Sequence, residues 1–474
     1  MSRRDFIKTS AAAAAGLGSL SSAIVSAEDS PERRPNLLII HTDQQSSWTL
    51  SIYGGMLIDT PNIDRLGNEG AVFNNFFTNS AVCTPSRGCF LTGRYPHSHG
   101  AYRNNIELNR DEMTLARVLQ QNGYDTGYAG KWHLDGEPRP GWMDQSRSMG
   151  FEDCRYMFNR GHWKKITENE NGEPKENPYK VIGDEKTYTT DWLARKTTEF
   201  IKRPRSNPFF FMVSIPDPHT PYTVRPPYDT MFKPEDMPIP STFSMKNLPR
   251  WAEAARGNGP YAMNKPRREE VLRRHKAGYC GEVKCIDDNV GEILNCLAEQ
   301  NILDDTIVVF TTDHGDYVGE HGLLGKNQLY ETAYRIPMLI RWPEGISGGT
   351  VVDNIASAVD FQPTILKLMG VDPSGREQGR DASALLTKEE ANWEDTAFIH
   401  HASLKRAGIF TPHYELAYVQ DNDHILFDRI NDPEQKNNLF NEASYRMMID
   451  ELTEQIIQHH VQVDSPASTW LKEL

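Results

Sequence analysis

Cysteine is scarce in this 474-residue chain: there are six, at 83, 89, 154, 280, 285 and 296. Their spread is unlike the dense framework that staples small exported domains, and a chain of this length buries a substantial core without staples. Long hydrophobic runs are missing as well. Beyond residue 27 no segment is apolar over enough residues to span a bilayer. Positive charge is the third shortage, with 51 Lys and Arg against 65 Asp and Glu, a net charge of −14. That balance argues against passive binding to nucleic acid or anionic membranes. An anionic substrate would need a local basic pocket to override the global field.

What is present begins with a leader. "SRRDFIK", then "TSAAAAAGLGSLSSAIV", then a small-residue "VSA" reads as a twin-arginine-type export signal over residues 1–27, cleaved after Ala27. The expected mature chain carries a net charge of −16 and is periplasmic or extracellular. A protein exported by this route folds first, which leaves time for cytoplasmic modification of a cysteine.

Apolar runs bounded by turn signals alternate with helical patterns, the sign of an α/β sheet. "PNLLIIHTD" reads as a strand ending at Asp43, "DTGYAGKWH" as one running into Lys131 and His133, "NPFFFMVSIPDPH" as one ending near His219, and "DTIVVFTTDHGD" as one ending at Asp313 and His314. "DEMTLARVLQQNGY" reads as a helix capped by Thr114, and "VLRRHKAGYCGEVKCIDDNVGEILNCLAEQ" as a long one. Residues 136–190 and 223–268 read as loop-rich. Beyond a linker-like stretch from 371, "DTAFIHHAS", "YELAYVQ" and "HILFDRI" read as antiparallel strands, followed by an amphipathic helix near 442–460. The expected fold is therefore a large α/β/α sandwich with a mixed, mostly parallel sheet over 28–385, plus a smaller C-terminal domain with an antiparallel sheet and a helix over 386–474.

Four strands each deliver ionisable residues just past their carboxyl ends, where open α/β sheets place their ligand crevice. Asp43 with Gln44 and Asp313 with His314 offer oxygen ligands suited to Ca²⁺ or Mg²⁺, and the histidine admits Mn²⁺. Each pair alone is equally compatible with a helix cap or a turn. Arg87, Lys131, His133, His219 and Lys326 add the cationic groups an oxyanion pocket requires. Cys83, two residues before Pro85, is compatible with a disulfide to Cys89, a metal ligand, a buried small hydrophobe or a reactive centre.

The stretch "CTPSR" at 83–87, followed by "LTGRYPHSHG", resembles the signature of the type I sulfatases of the alkaline-phosphatase-like superfamily. So do "TLARVLQQNGYDTGYAGKWHL", "PDPHTPY", "GEHGLLGKNQLYETAYRIPMLIRWP" and "FDRINDPEQKNNLF", in the family's order. The resemblance implies that Cys83 is oxidised to Cα-formylglycine by a formylglycine-generating enzyme, and that one hydroxyl of the hydrated aldehyde attacks sulfur. It implies a divalent metal, most simply Ca²⁺, held by Asp43, Gln44, Asp313, His314 and residue 83. Asp313 would take the nucleophile's proton, Arg87 steady the diol, and Lys131 and Lys326 clamp the sulfate. His219 with Lys326 would protonate the leaving alcohol, and His133 would trigger sulfate release. Many family members have Asp at position 44 and Asn at 314; the Gln and His found here also resemble the phosphonate monoester and phosphodiester hydrolases.

The expected function is an exported sulfatase acting on a sulfate ester, most simply of a carbohydrate. The alternatives are a phosphonate or phosphodiester hydrolase and, from another class, a non-catalytic binder of sulfated glycans. Arg103, Asn104, His162 and Trp163 are candidate substrate contacts, joined by His400 and His401 from the C-terminal part.

Overall fold

The computed structural model describes residues 34–136, 141–388 and 392–474; the leader of residues 1–27 lies outside them. Residues Pro35–Leu474 form one compact unit. Its strands are β1 (Asn36–Thr42), β2 (Ala71–Phe77), β3 (Asp125–Lys131), β4 (Asp153–Phe158), β5 (Ile166–Glu168), β6 (Pro174–Glu176), β7 (Phe209–Ser214), β8 (Thr306–Thr312), β9 (Met338–Arg341), β10 (Thr350–Ser357), β11 (Ala397–His400), β12 (Arg406–Phe410), β13 (Tyr414–Val419) and β14 (Ile425–Asp428). The large sheet has the order β10-β2-β9-β8-β1-β7-β3-β4, and only β9 runs against its neighbours.

Alternation along the central strands explains the sandwich. Leu38 and Ile40 of β1, with Val308 and Phe310 of β8, face the helices Thr189–Ile201 and Arg268–Glu299. Leu37, Ile39, Ile307 and Val309 face the opposite way, onto the helices Cys83–Thr92, Leu115–Gln121 and Ala358–Leu368. Both faces are apolar because both are covered. The Thr114 hydroxyl accepts the Arg117 amide at 3.2 Å, the cap expected from the sequence.

The smaller sheet runs β11-β12-β13-β14, all antiparallel. One face packs on the helix Arg446–Gln462 through Ile409, Leu416 and Ile456. The other meets Phe77 and Tyr334 through Ile399, Phe410 and Phe427. Several elements differ from the sequence reading, among them β4, β5 and β6 inside the stretch 136–190 read as loop-rich. "RAGIF" at 406–410 is a strand in this sheet, although Gly408 breaks its apolar pattern. A Cβ at Gly408 would stand 2.4 Å from the Leu416 carbonyl oxygen, so close strand approach requires the glycine. Within the other such stretch, 223–268, Arg250–Asn258 is a helix whose Trp251 and Ala252 are buried.

Candidate active site

The carboxyl ends of β8, β1, β7 and β3, adjacent in the sheet, converge on the amino end of the Cys83–Thr92 helix. Every residue of that helix is buried. Cys83 and Arg87 lie one turn apart and share a face, which gives the four-residue spacing its meaning. The helix is fixed from several directions. The Thr84 amide donates to Asn104 Oδ1 at 3.1 Å, the Thr84 hydroxyl to the His133 carbonyl at 2.8 Å, and the Ser86 hydroxyl to the Asp313 carbonyl at 2.5 Å.

Arg87 is only 2% exposed and spends its fork on four acceptors. Nε donates to Asp313 Oδ2 at 3.0 Å and Nη2 to Asp43 Oδ2 at 3.2 Å. Nη1 donates to Ser214 Oγ at 2.7 Å and to the Lys131 carbonyl at 3.0 Å. Cys83 Sγ lies 3.2 Å from His314 Nε2 and 3.9 Å from Asp43 Oδ1. Burial alone would raise the Asp43 carboxyl; Lys131, His219 and Arg87 hold it well below the carboxylate range. Burial and the Asp43 charge push Asp313 up, but His314 and Arg87 keep it low. The Cys83 thiol is opposed by burial, yet Lys131 and Lys326 bring it well below its ordinary value.

Asp43, Cys83, Asp313 and His314 each offer one ligand atom, all within 4.8 Å of one another and all buried. His314 Nδ1 donates to the Gly315 carbonyl at 2.9 Å, which turns Nε2 toward Cys83, the position a metal would take. Two carboxylates and an oriented imidazole fit a divalent cation. The Gln44 side chain is otherwise engaged: Oε1 accepts from Lys326 Nζ and Nε2 donates to Asp316 Oδ2 at 2.5 Å. Gln44 itself sits at φ 65°, its amide donating to Asp313 Oδ1 at 3.0 Å.

Two lysines face this group. Lys131 Nζ contacts Asp43 Oδ2 and lies 3.0 Å from His162 Nε2. Lys326 Nζ lies 2.8 Å from His219 Nε2. The His162 and His219 rings stack at 3.9 Å, and burial, reinforced by Lys131 at His162 and by His162 and Lys326 at His219, lowers each to about 3. His219 Nδ1 donates to the Thr220 carbonyl at 2.9 Å, so its Nε2 is the acceptor for Lys326 Nζ. His133 is buried, and neither ring nitrogen has a hydrogen-bond partner among the described residues.

The substrate candidates divide. His162 is at the centre. Asn104 Oδ1 is occupied as the acceptor for the Thr84 amide. Arg103 is exposed, its guanidinium 5.8 Å from the Tyr102 ring centre. His401 Nε2 donates to the Asn327 carbonyl at 3.2 Å, beside Lys326. Trp163 is a correction: it is a core residue packed against Phe158 and Trp142, with no surface for substrate. His400 is another. It stacks on Tyr95 at 4.1 Å, and its Nε2 lies 2.9 Å from His459 Nε2, in a buried cluster with His97 and His460. Sequence reading missed Ser214, Tyr222 and Asp316. Asp316 stands in the "TTDHGD" stretch, but two of its partners, Gln44 and Tyr222, come from far along the chain.

That histidine cluster carries a prediction. Burial lowers His459 to about 2 and His460 to about 3, and holds His400 well below and His97 below the ordinary value; neighbouring rings add to the shifts of His400, His459 and His460, and Arg94 adds to that of His97. The nearby charges are Arg94, Arg380, Asp360 and Asp464. An unfolded histidine takes up a proton below about pH 6.5 while the folded one stays neutral, so stability falls as pH drops below that value. Each such histidine adds a slope of about 1.4 kcal/mol per pH unit. His459→Phe, which keeps the stack on Phe398, is expected to flatten the decline between pH 6 and 4.5 by about one proton, read from urea unfolding at each pH. An unchanged slope would contradict this.

All six cysteines are free and buried. The sequence matches the Sulfatase family model over residues 35–371 and the C-terminal model of N-sulphoglucosamine sulphohydrolase over 319–462. Residues 1–18 match the twin-arginine translocation signal. An N-acetylglucosamine-6-O-sulfatase from Bacteroides thetaiotaomicron is 29% identical, the match covering 87% of this chain and 84% of the relative. An ulvan-active sulfatase from Formosa agariphila is 28% identical, with 90% and 81% covered. The solved structure of BT4656 with its substrate D-glucosamine-2-N,6-O-disulfate superposes with a TM-score of 0.76 at 27% identity, covering 91% of this chain and 99% of that one.

Proposed function

Because the chain belongs to the sulfatase family of the alkaline-phosphatase-like superfamily, and is an exported sulfuric ester hydrolase, we propose that it removes sulfate from a carbohydrate through a formylglycine at position 83. The supporting observation is the buried Asp43–Cys83–Asp313–His314 group faced by Lys131 and Lys326. The relatives that act on N-acetylglucosamine 6-sulfate and on ulvan favour a sugar as the alcohol. Delivery by the twin-arginine route places the folded enzyme in the periplasm or outside the cell. In this reading residues 28–385 form the catalytic part and 386–474 the C-terminal subdomain.

Asp43, Asp313 and His314, with residue 83, would hold the cation, and Gln44 borders it; Ca²⁺ suits the carboxylates, while Mg²⁺ or Mn²⁺ also fits the set. Once loaded and modified, the site supplies Lewis acidity toward sulfate oxygens and a hydrated aldehyde as nucleophile. The chain's own side chains do the rest. Lys131 and Lys326 neutralise sulfate oxygens. Arg87, bonded to both carboxylates, keeps them apart and ionised. Asp313 accepts the nucleophile's proton. The Lys326 ammonium, donating to the neutral His219 at Nε2, supplies the proton that this pair passes to the departing sugar oxygen. His133, buried with both ring nitrogens unpartnered, is the base for product release.

Gln44 favours a second reading. It removes one negative charge that an Asp would bring, and with His314 it suits phosphonate monoester or phosphodiester cleavage at the same site. The deciding experiment uses protein co-expressed with a formylglycine-generating enzyme. Peptide mass analysis of residues 81–94 is expected to show the aldehyde, and a panel of sugar sulfates to release sulfate. A thiol at position 83 despite the modifying enzyme would overturn the formylglycine assignment. Faster turnover of a phosphodiester than of a sulfate ester with the same leaving group would favour the second reading.

A further inference from the structure

We propose that Asp316, which touches no reacting group, is the positioning residue that holds Lys326 and His219 together as one proton-donating pair. The proposal rests on the role given to that pair in the sulfatase reading.

Asp316 is fully buried, and its carboxylate accepts four hydrogen bonds. Oδ1 takes the amides of Val318 at 3.0 Å and Gly325 at 2.8 Å. Oδ2 takes Gln44 Nε2 at 2.5 Å and the Tyr222 hydroxyl at 2.5 Å. These donors come from three separate stretches. Gly325 immediately precedes Lys326. Tyr222 lies three residues past His219. Gln44 follows Asp43, and its Oε1 is the acceptor for Lys326 Nζ. One carboxylate thus sets the backbone under Lys326, the amide that orients its ammonium group, and the loop carrying its histidine partner.

The backbone agrees. The Ser46 hydroxyl donates to the Asp316 carbonyl at 2.7 Å and accepts the Asp316 amide at 2.8 Å, locking the residue to the loop after β1. The Tyr317 amide donates to the Gly325 carbonyl at 2.9 Å, closing the loop between them. Val318 at φ 37° and Gly325 at φ 81° both turn through the left-handed region. A turn that leaves its amides pointing inward needs an acceptor there, and the Asp316 carboxylate is that acceptor.

Aligning a proton donor matters only when the leaving oxygen needs the proton. A sugar alkoxide does; a nitrophenolate leaves without it. Asp316→Asn keeps the shape but turns an NH₂ group toward Gln44 Nε2 or toward the backbone amides. Tyr222→Phe removes a single donor and keeps the ring, and serves if the first variant folds poorly. With modified, metal-loaded enzyme, Asp316→Asn is expected to lower kcat for a sugar sulfate by about 100-fold, and kcat for 4-nitrophenyl sulfate by less than about 5-fold. Tyr222→Phe is expected to keep the order at about 10-fold against about 2-fold. Equal losses on both substrates, or no loss on the sugar sulfate, would overturn the positioning role while leaving the sulfatase reading intact. A wild-type enzyme inactive on both sulfates would overturn the reading itself and the proposal with it.

Discussion

Cys83→Ser is expected to abolish steady-state turnover of a sugar sulfate, by at least about 1,000-fold, while still releasing at most one equivalent of alcohol per chain. The geometry leaves the serine well placed. Position 83 is 1% exposed, next to Asp43 and His314, at the head of a helix whose partial positive charge favours an anion. Attack by its hydroxyl would form a bond to sulfur and break the bond between sulfur and the sugar oxygen. The resulting ester carbon then carries no second hydroxyl whose deprotonation could rebuild a carbonyl and expel sulfate. Release must wait for water to attack at sulfur. Quench-flow measurement of alcohol, with mass analysis of the 81–94 peptide for a retained sulfate, distinguishes a stalled ester from an inert site. Multiple turnovers by the serine variant would show that a second hydroxyl at this carbon is unnecessary.

The catalytic edge of the large sheet was legible because its strands are uninterrupted apolar runs that stop abruptly at polar residues. "LLII" before "HTDQ" and "IVVF" before "TTDH" mark both the strand and the place where it opens onto the crevice. The four-residue spacing of Cys83 and Arg87 acquires its meaning only in the helix Cys83–Thr92, whose geometry puts both on one face. Other features depend on distant partners that no local pattern announces. Trp163 follows a site histidine in sequence, yet its ring turns into the core against Phe158. His400 meets His459 across 59 positions, and Asp316 meets Tyr222 across 94 and Gln44 across 272. The strand at 406–410 hides behind Gly408, whose missing side chain is what lets β12 and β13 close. Local periodicity finds elements; it does not find which polar groups they must satisfy.

Arg87→Met is expected to be the most destabilising single change in the site. Arg87 is the buried cation bonded to both Asp43 and Asp313, and it also satisfies Ser214 Oγ and the Lys131 carbonyl. Methionine fills much of the volume and restores none of these bonds. Two carboxylates would then stay buried with Lys131 as the remaining close lysine. Removing one partner of a buried ion pair costs about 3–5 kcal/mol, because the surviving charge cannot return to water. The acid side of the stability profile should move as well. Both carboxyls are held below their ordinary value of about 4, so the stability they contribute is present above that pH and lost as pH falls. Without Arg87 their native values rise, and that acid-dependent loss shrinks. Arg87→Lys keeps a charge but offers a point contact instead of a fork, and should recover part of the stability and little of the turnover. Urea unfolding at pH 7 and at pH 4.5, with and without Ca²⁺, tests this directly. A cation lodged between Asp43 and Asp313 should restore part of the loss in Arg87→Met. If the variant instead unfolds like the parent and ignores added Ca²⁺, the two carboxylates do not share the electrostatic burden this geometry assigns them.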